Sequence, residues 1–512
     1  MIRHSNKHWY LLCIIALGLT LSLCPAAHAK TIYVGSGSSW ATIQSGIDAA
    51  ADGDTVIVRP GYYTGPGNLN LDLRGKAIVL KSESGPSRCT IDAQHNGRGF
   101  YFHSGETRNT VIWGFTIKNG LDVDVQSDGV PGGGGILISG SSPTIRSCII
   151  SACESQTLIN PGGGGGININ SGSAPMIAGC TIAGNSSFGP GGGIFSLDSS
   201  PRIMNTRVAS NLTSGSAGGG LYFARSDATT GSAMVDGCTI IGNGPVQDST
   251  NALNGGGINC SSDSVSILNS TISGNRAANG AGIWGGSNLR VINCSVLSNR
   301  ADAEGGGIHS VATGNRIVNT KIDMNVAQEG GGIWATGPFS AVNCSFERNS
   351  ATDGGALFGA DGEKVVVSNS TFFRNAGGAL SFLGAGNIVT NCSFGIATSP
   401  WIKSTGSVYA TNCIFWGNSA GFEPASPGQN ILINYSDVQG GWAGTNNINA
   451  NPLFMSSVDG DFHLRVNSPC INTGLNSGRV GKTVNILARP YDKDGNVITG
   501  PMDMGAYQYQ GQ

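Results

Sequence analysis

Three glycines, or two with an alanine, followed by Ile or Leu: this phrase constrains the chain more than any other feature. It recurs ten times, first ending at Ile136 and last at Leu380, at intervals of 23 to 37 residues. Glycine loses more backbone entropy on ordering than any other residue. A chain that repeats such a phrase must recover the cost from one packed unit used again and again. A second phrase lies between the copies: CTIAGN at Cys180–Asn185, CTIIGN at Cys238–Asn243, STISGN at Ser270–Asn275 and CSFERN at Cys344–Asn349.

Each unit therefore holds about three short β-patterned runs. One follows the glycines, one is typified by Arg316–Asn319, and one is the Cys-Thr-Ile type. Asn, Gly and Ser separate them, as turns require. Runs this short exclude a helical repeat. Three strands per unit fit one coil of a parallel β-helix, stacked on the next coil at about 4.8 Å. Glycine is 81 of 512 residues without a Gly-X-Y period, which excludes collagen. Charged residues are only 12% and Val, Ile and Leu are plentiful, which excludes a disordered chain.

A residue repeated at one place in the coil forms a column. Asn recurs before the third strand at Asn205, Asn269, Asn293, Asn319, Asn343, Asn369, Asn391 and Asn412, where side chains can bond from coil to coil. Five of these, Asn269, Asn293, Asn343, Asn369 and Asn391, form glycosylation sequons, here read as products of the repeat. Seven cysteines, Cys148, Cys180, Cys238, Cys294, Cys344, Cys392 and Cys413, fill one slot that holds Ser or Thr elsewhere. They read as reduced core residues, not a disulfide framework or a zinc site.

Residues 1–29 read as a secretory signal. Arg3 and Lys7 form the basic start, Leu11 to Leu23 the apolar run, and Ala27, His28 and Ala29 the small-x-small cleavage site. The competing reading is a membrane anchor, for which the run is short. No span is expected after cleavage. Removal shifts the formal charge from −2 to −4, since Arg3 and Lys7 leave and no acid does. A nucleic-acid partner is excluded by the lack of a basic excess.

The ends need caps. Residues 30–105 are expected to hold an N-terminal cap and the first coils, 106–420 the repeats, and 421–512 the last coils and a cap of hairpins and loops. A short amphipathic helix is expected after Trp40, with Ile43, Ile47 and Ala50 on one face. Strands are expected at Thr55–Val58, Ala77–Leu80 and Thr110–Ile117.

The opening ATIQSGIDAAADGDTVIVRPGYYTG, the phrase IWGFTIKNG and the closing DFHLRVNSPCINTG…DMGAYQYQ resemble secreted bacterial right-handed β-helix repeat proteins of the pectin-lyase-like class. The GGGI and CSFxxN phrases are similar to repeats of chlamydial polymorphic outer membrane proteins. The resemblance implies the fold and an extracellular or cell-surface location. It implies no single activity, because the class mixes lyases, hydrolases, epimerases and adhesins. Relatives often carry an anchor segment or a barrel; none follows here, so free release as a monomer is expected.

If the Ile ending each glycine phrase points inward, the next residue points outward. Those residues include Phe195, Tyr222, Trp284, His309, Trp334 and Phe358 in a chain only 7% aromatic. A row of rings one strand apart suits a polysaccharide lying along the helix. The competing reading is surface packing.

Lyase chemistry on acidic glycans needs a base beside a carboxylate neutralised by a cation. Asp122, Asp124 and Asp128 form a candidate calcium cluster, with Lys118 and Arg146 as nearby bases. The competing reading is a solvated loop, and the usual lyase catalytic strings are absent. For hydrolysis, Asp323 and Glu347 occupy related positions one coil apart. Asp492–Asn496 resembles the start of a calcium loop but reads better as a hairpin turn. The leading expectation is a secreted protein that binds extracellular polysaccharide along the aromatic stripe. The alternatives are a pectate-lyase-like polysaccharide lyase and a non-catalytic adhesin or structural surface protein.

Overall fold

The computed structural model describes residues 29–122, 131–157, 162–214, 217–226, 231–246, 253–261, 264–360, 364–423, 430–475 and 502–508. Residues 1–28 of the expected signal at 1–29, Asp124, Asp128 and the stretch 492–496, expected as a hairpin turn, lie outside them.

The chain coils as a right-handed parallel β-helix. A 16-stranded sheet runs from Thr31–Val34 to Ile431–Asn434, a 13-stranded sheet from Phe100–Phe102 to Phe422–Glu423, and a 15-stranded sheet from Gly61–Tyr63 to Asp437–Val438. These are the first, second and third sheets below. One coil shows the path. Ile308–Ser310 lies in the second sheet, Asn315–Val318 in the first and Lys321–Asp323 in the third. The inward side chain of each strand is apolar, and copies stack in register. In the second sheet Ile258, Ile283, Ile308, Ile333 and Leu357 form one column, each fully buried. Each such burial contributes about 1.5–3 kcal/mol. Toward the C-terminal end aromatics take over: the rings of Phe346, Phe372, Phe394 and Phe415 stack at 4.9, 4.5 and 4.6 Å.

Two asparagine ladders hold the corners. The expected one sits between the first and third sheets. Asn269, Asn293, Asn319 and Asn343 all have φ near +50°, which Asn tolerates better than other side chains. Asn293, Asn319 and Asn343 each donate Nδ2 to the Oδ1 of the Asn one coil before. The second ladder is buried and was not anticipated. It is the last letter of the CTIAGN-type phrase: Asn185, Asn211, Asn243, Asn275, Asn299, Asn325, Asn349 and Asn375. Each Oδ1 from Asn211 onward accepts from the backbone N–H of the preceding member, and each Nδ2 reaches a strand carbonyl inside the coil. The repeat's cysteines are buried and free.

The caps follow from local sequence. Helix α1, Ile43–Ala49, starts at a capping box of Thr42 and Ser45 and buries Ile43, Gly46 and Ile47 over the first coil. The second expected strand lies at Val79–Ser82. The stretch Thr110–Ile117, expected as one strand, is two: Val111–Trp113 and Thr116–Lys118 belong to different sheets, because Gly114 turns the corner at φ +79°. At the far end Phe454–Ser456 and Asp461–Leu464 pair as an antiparallel hairpin. Phe454, Phe462 and Leu464 pack there with Phe373, Ile414, Cys470 and Met504. No helix among the described residues is long and apolar enough to cross a membrane.

Candidate functional site

The residue after each glycine phrase does form a column on the outer side of the second sheet. Asn168, Phe195, Tyr222, Asn259, Trp284, His309, Trp334, Phe358 and Ser381 pair in unbroken register. Tyr101 extends it at the N-terminal end, where no glycine phrase marks it.

The column is a stack, not the open platform expected. Phe195, His309 and Phe358 are buried, while Tyr222, Trp284 and Trp334 are half-buried. The His309 ring lies 4.1 Å from both Trp284 and Trp334, within 17° of parallel. Phe195 and Tyr222 stack at 5.5 Å. The reason is the strand spacing: rings repeated in register across a parallel sheet meet face to face. Both faces of His309 and one face of each tryptophan are spent in this stack.

The glycines explain the rest of the burial. Asn259, His309 and Trp334 fold back over the corner that precedes each of them. The Asn259 Nδ2 donates to the Asn254 carbonyl at 2.9 Å, His309 Nε2 meets Glu304 Oε2 at 2.9 Å, and Trp334 Nε1 donates to Glu329 Oε2 at 3.4 Å. The partner is always five residues earlier, just before the first glycine. Gly305 has φ +63°, and a Cβ there would lie 2.8 Å from His309 Cβ. A Cβ on Gly306 would lie 2.5 Å from the carbonyl oxygens of Val326 and Gly331. Only glycine lets the corner sit this close to the ring and to the next coil.

Those partners are themselves a row. Asn254, Asn279, Glu304, Glu329 and Asp353 pair coil by coil beside the aromatic stack. Three successive coils thus present one carboxylate each. Asp353 is bound to Lys403 at 2.9 Å. Lys403 stands two coils further along the column and crosses over the small Ser381. Burial, and then the neighbouring Glu329, raise the pKa of Glu304. Burial lowers that of His309 to about 3, so its imidazole is neutral near pH 7. Its Nδ1 has no hydrogen-bond partner among the described residues. Carboxylates accept hydrogen bonds, and ring edges carry the positive end of the aromatic quadrupole. The face therefore suits a ligand rich in hydroxyl or other donor groups.

The other sequence candidates are engaged elsewhere. Asp122, expected as a calcium ligand, is completely buried. Its Oδ1 pairs with Arg98 at 2.6 Å, and its Oδ2 accepts from the Gly132 N–H and Thr157 Oγ1, both at 2.7 Å. That carboxylate is neutralised inside the fold and does not fit a calcium site; Asp124 and Asp128 lie outside the described residues. Among the described residues no group of three or more His, Cys, Asp or Glu is arranged to hold a metal ion. Lys118 lies 3.6 Å from Asp92 and over the Tyr62 ring. Arg146 lies over the Trp113 ring. Asp323 and Glu347 are neighbours in register on the third sheet, and Arg348 and Lys321 neutralise them.

The carboxylate row was missed in the sequence although its signal is plain: the letter before the glycines is Asn, Asn, Glu, Glu and Asp in five successive coils.

Comparison with known proteins agrees on the fold. The family described as right-handed beta helix region matches residues 76–264. Among solved structures, pectate lyase Pel9A is 12% identical with a TM-score of 0.29, covering 94% of this chain and 96% of its own. The A-module of Azotobacter vinelandii mannuronan C-5 epimerase AlgE6 is 13% identical with a TM-score of 0.34, covering 80% and 94%. The catalytic domain of a GH87 α-1,3-glucanase is 12% identical with a TM-score of 0.35, covering 80% and 68%. Likenesses of this order concern the fold alone. No curated protein matches the chain in sequence.

Proposed function

We propose that this protein is an extracellular polysaccharide-binding β-helix whose site is the face formed by Trp284, His309 and Trp334 beside Glu304, Glu329 and Asp353. The observation that carries the reading is the pairing of two columns, one aromatic and one acidic, over the same successive coils. A polymer laid along the axis meets a ring at each step of about 4.8 Å, with Asn279 beside Trp284, Glu304 beside His309 and Glu329 beside Trp334. Hydroxyl donors go to the carboxylates, and hydroxyl oxygens meet the exposed edges of the two tryptophans. Phe195 and Tyr222 form a separate stack, parted from Trp284 by Asn259, and Phe358 follows Trp334 in register. They offer less, because the row beside Tyr222 is Ala217 and that beside Phe358 is already tied to Lys403.

The test is retention of the protein on a panel of immobilised polysaccharides. Trp284→Ala with Trp334→Ala is expected to weaken binding about tenfold or more, as loss of aromatic anchors does. Trp113→Ala, which removes an exposed tryptophan from the first sheet, is expected to leave it unchanged. Equal retention of the double variant and the parent would contradict the reading.

A further inference from the structure

We infer that Cys392 and Cys413 close to a disulfide when the chain is exported, clipping together the two coils on which the C-terminal segment docks. The inference rests on an extracellular location and not on the glycan face.

The cysteine slot forms one inward column, and most of its cysteines alternate with hydroxyl residues. Cys180, Cys238, Cys294 and Cys344 each donate their backbone N–H to the side-chain oxygen in the slot of the next coil. The acceptors are Thr206, Ser270, Thr320 and Ser370, at 3.3, 3.0, 3.4 and 3.1 Å. Cys413 does the same to Ser436 at 3.0 Å. The alternation breaks in two places, where Cys180 follows Cys148 and Cys413 follows Cys392. There the first cysteine meets a thiol in place of a hydroxyl acceptor. Each break gives up a buried hydrogen bond, a loss that a bond between the two sulfurs offsets.

The register sets Cys392 opposite Cys413. Thr390 pairs with Thr411 and Ser393 with Ile414, so the cysteines between them lie across from each other. Their Cα atoms are then about 4.8 Å apart, and disulfides span roughly 4.4–6.8 Å. Both are free thiols in the structure and fully buried. The Cys413 Sγ leans back toward the coil of Cys392, 3.5 Å from the Val389 carbonyl, and interacts with the Cys392 thiol. Cys148 and Cys180 share this register but hold no terminal segment, and they serve as the comparison.

Position gives the clip its role. Asn412 Nδ2 donates to the Leu475 carbonyl, and Asn412 Oδ1 accepts from the Leu475 N–H. The Gly505 N–H donates to the Asn412 carbonyl, and the Ala506 N–H to Ser393 Oγ. The chain neighbours of the two cysteines are therefore the residues that seat the terminal segment. A solenoid coil is held only by its neighbours, so an end opens before the middle. A covalent link between these coils keeps the seat intact.

Closure is thiol–disulfide exchange with a disulfide-carrying dithiol oxidant. One cysteine thiolate attacks the oxidant's disulfide and forms a mixed disulfide. The second thiolate attacks the cysteine sulfur of that bond, and the oxidant leaves as a dithiol. Two hydrogens with two electrons pass to the oxidant, one sulfur–sulfur bond breaks there, and one forms here. Burial pushes the Cys392 thiol up once the coils have packed, so exchange belongs to the folding chain.

The experiment directs the whole chain to an oxidising bacterial periplasm and, in parallel, keeps it in a reducing cytoplasm. Free thiols are alkylated under denaturing conditions, and unreduced digests are read by mass spectrometry. The expected result is a peptide linking Cys392 to Cys413 in the exported protein and not in the cytoplasmic one. The exported protein is also expected to melt a few degrees lower with reductant present. Cys392→Ser places in the slot the residue that already fills it at Ser270 and Ser370. This variant is expected to fold and to lose the sensitivity to reductant. Full alkylation of both cysteines in the exported protein would overturn the inference. So would a link from either one to a different cysteine, or a reductant shift that survives in Cys392→Ser. Glycan binding by the tryptophan face is unaffected by any of these results and is decided by the polysaccharide panel alone.

Discussion

His309 Nε2 stands 2.9 Å from Glu304 Oε2 while its ring is held 4.1 Å from two indoles. Burial keeps this histidine neutral, with a pKa of about 3 against an ordinary value near 6.5. Between those values the unfolded chain binds the proton and the folded one does not. Stability is therefore full above about pH 6.5 and falls as pH drops toward 3, with a limiting slope of about 1.4 kcal/mol per pH unit for one group. Glu304, raised by burial, titrates in the opposite sense from about pH 4.5 upward and reduces the slope there. His309→Phe keeps a ring in the stack and is expected to flatten the profile. Denaturant melts of both proteins at pH 4, 5 and 7 check this; parallel profiles would contradict it.

Gly305 and Gly274 share a backbone conformation, φ +63° and +61°, but not their surroundings. A Cβ at Gly274 meets no atom within 4 Å, whereas one at Gly305 would lie 2.6 Å from the Ile308 oxygen and 2.8 Å from His309 Cβ. Gly274→Ala is expected to cost about 1–2 kcal/mol for the left-handed backbone alone. Gly305→Ala is expected to cost more than that and to disturb the ring stack, read as a change in near-ultraviolet circular dichroism. Equal costs with an unchanged spectrum would show that the glycine phrase is not shaped by the column.

The two asparagine ladders are expected to differ in weight. Asn299 is buried. Its Oδ1 accepts from the N and Nδ2 of Asn275 at 3.1 and 3.0 Å, and its Nδ2 donates to the Ile272 carbonyl and to Asn325 Oδ1, both at 3.0 Å. Asn299→Ala leaves several of these groups unpaired and is expected to cost about 2–4 kcal/mol. Asn319, in the exposed ladder, bonds only Asn293 and Asn343, and Asn319→Ala is expected to cost about 1 kcal/mol. Equilibrium unfolding of the two variants decides the order.

Asp437, at the end of the last full coil, is completely buried, and desolvation raises its pKa to about 6. Its neighbours are the Ala450 N–H at 3.1 Å and the Cys470 thiol at 3.2 Å. Here the folded state holds the proton more tightly than the unfolded one. Stability falls as pH rises from about 4 to 6, and the cost is full at pH 7. Asp437→Asn is expected to stabilise by about 1–3 kcal/mol at pH 7 and to change nothing near pH 3. Melting temperatures at the two pH values test it.

Much of this was legible from letters alone. The coil, the exposed asparagine ladder and the register of Trp284, His309, Trp334 and Phe358 follow from repetition, because repeated phrases must stack like on like, and α1 follows from the spacing of Ile43, Ile47 and Ala50. Three things were not legible, for physical reasons. Ring faces close on one another at the strand spacing, so an outward column need not be an open one, as the burial of Phe195 and His309 shows. Partners five residues apart meet only because the glycine corner folds the chain back, which hid the Glu304, Glu329 and Asp353 row. The ion pair that occupies Asp122 comes from Arg98, one coil earlier, and not from its acidic neighbours in sequence. Period reveals columns; it does not reveal how tightly a corner closes.

The most direct test of the binding face is carbodiimide labelling of carboxylates, read residue by residue by mass spectrometry, with and without a saturating glycan from the panel. Bound polymer is predicted to protect Glu304 and Glu329 and to leave the exposed Asp459 of the terminal hairpin labelled as before. Unchanged labelling of Glu304 and Glu329 under saturation would contradict the account, because the polymer would then lie on another face.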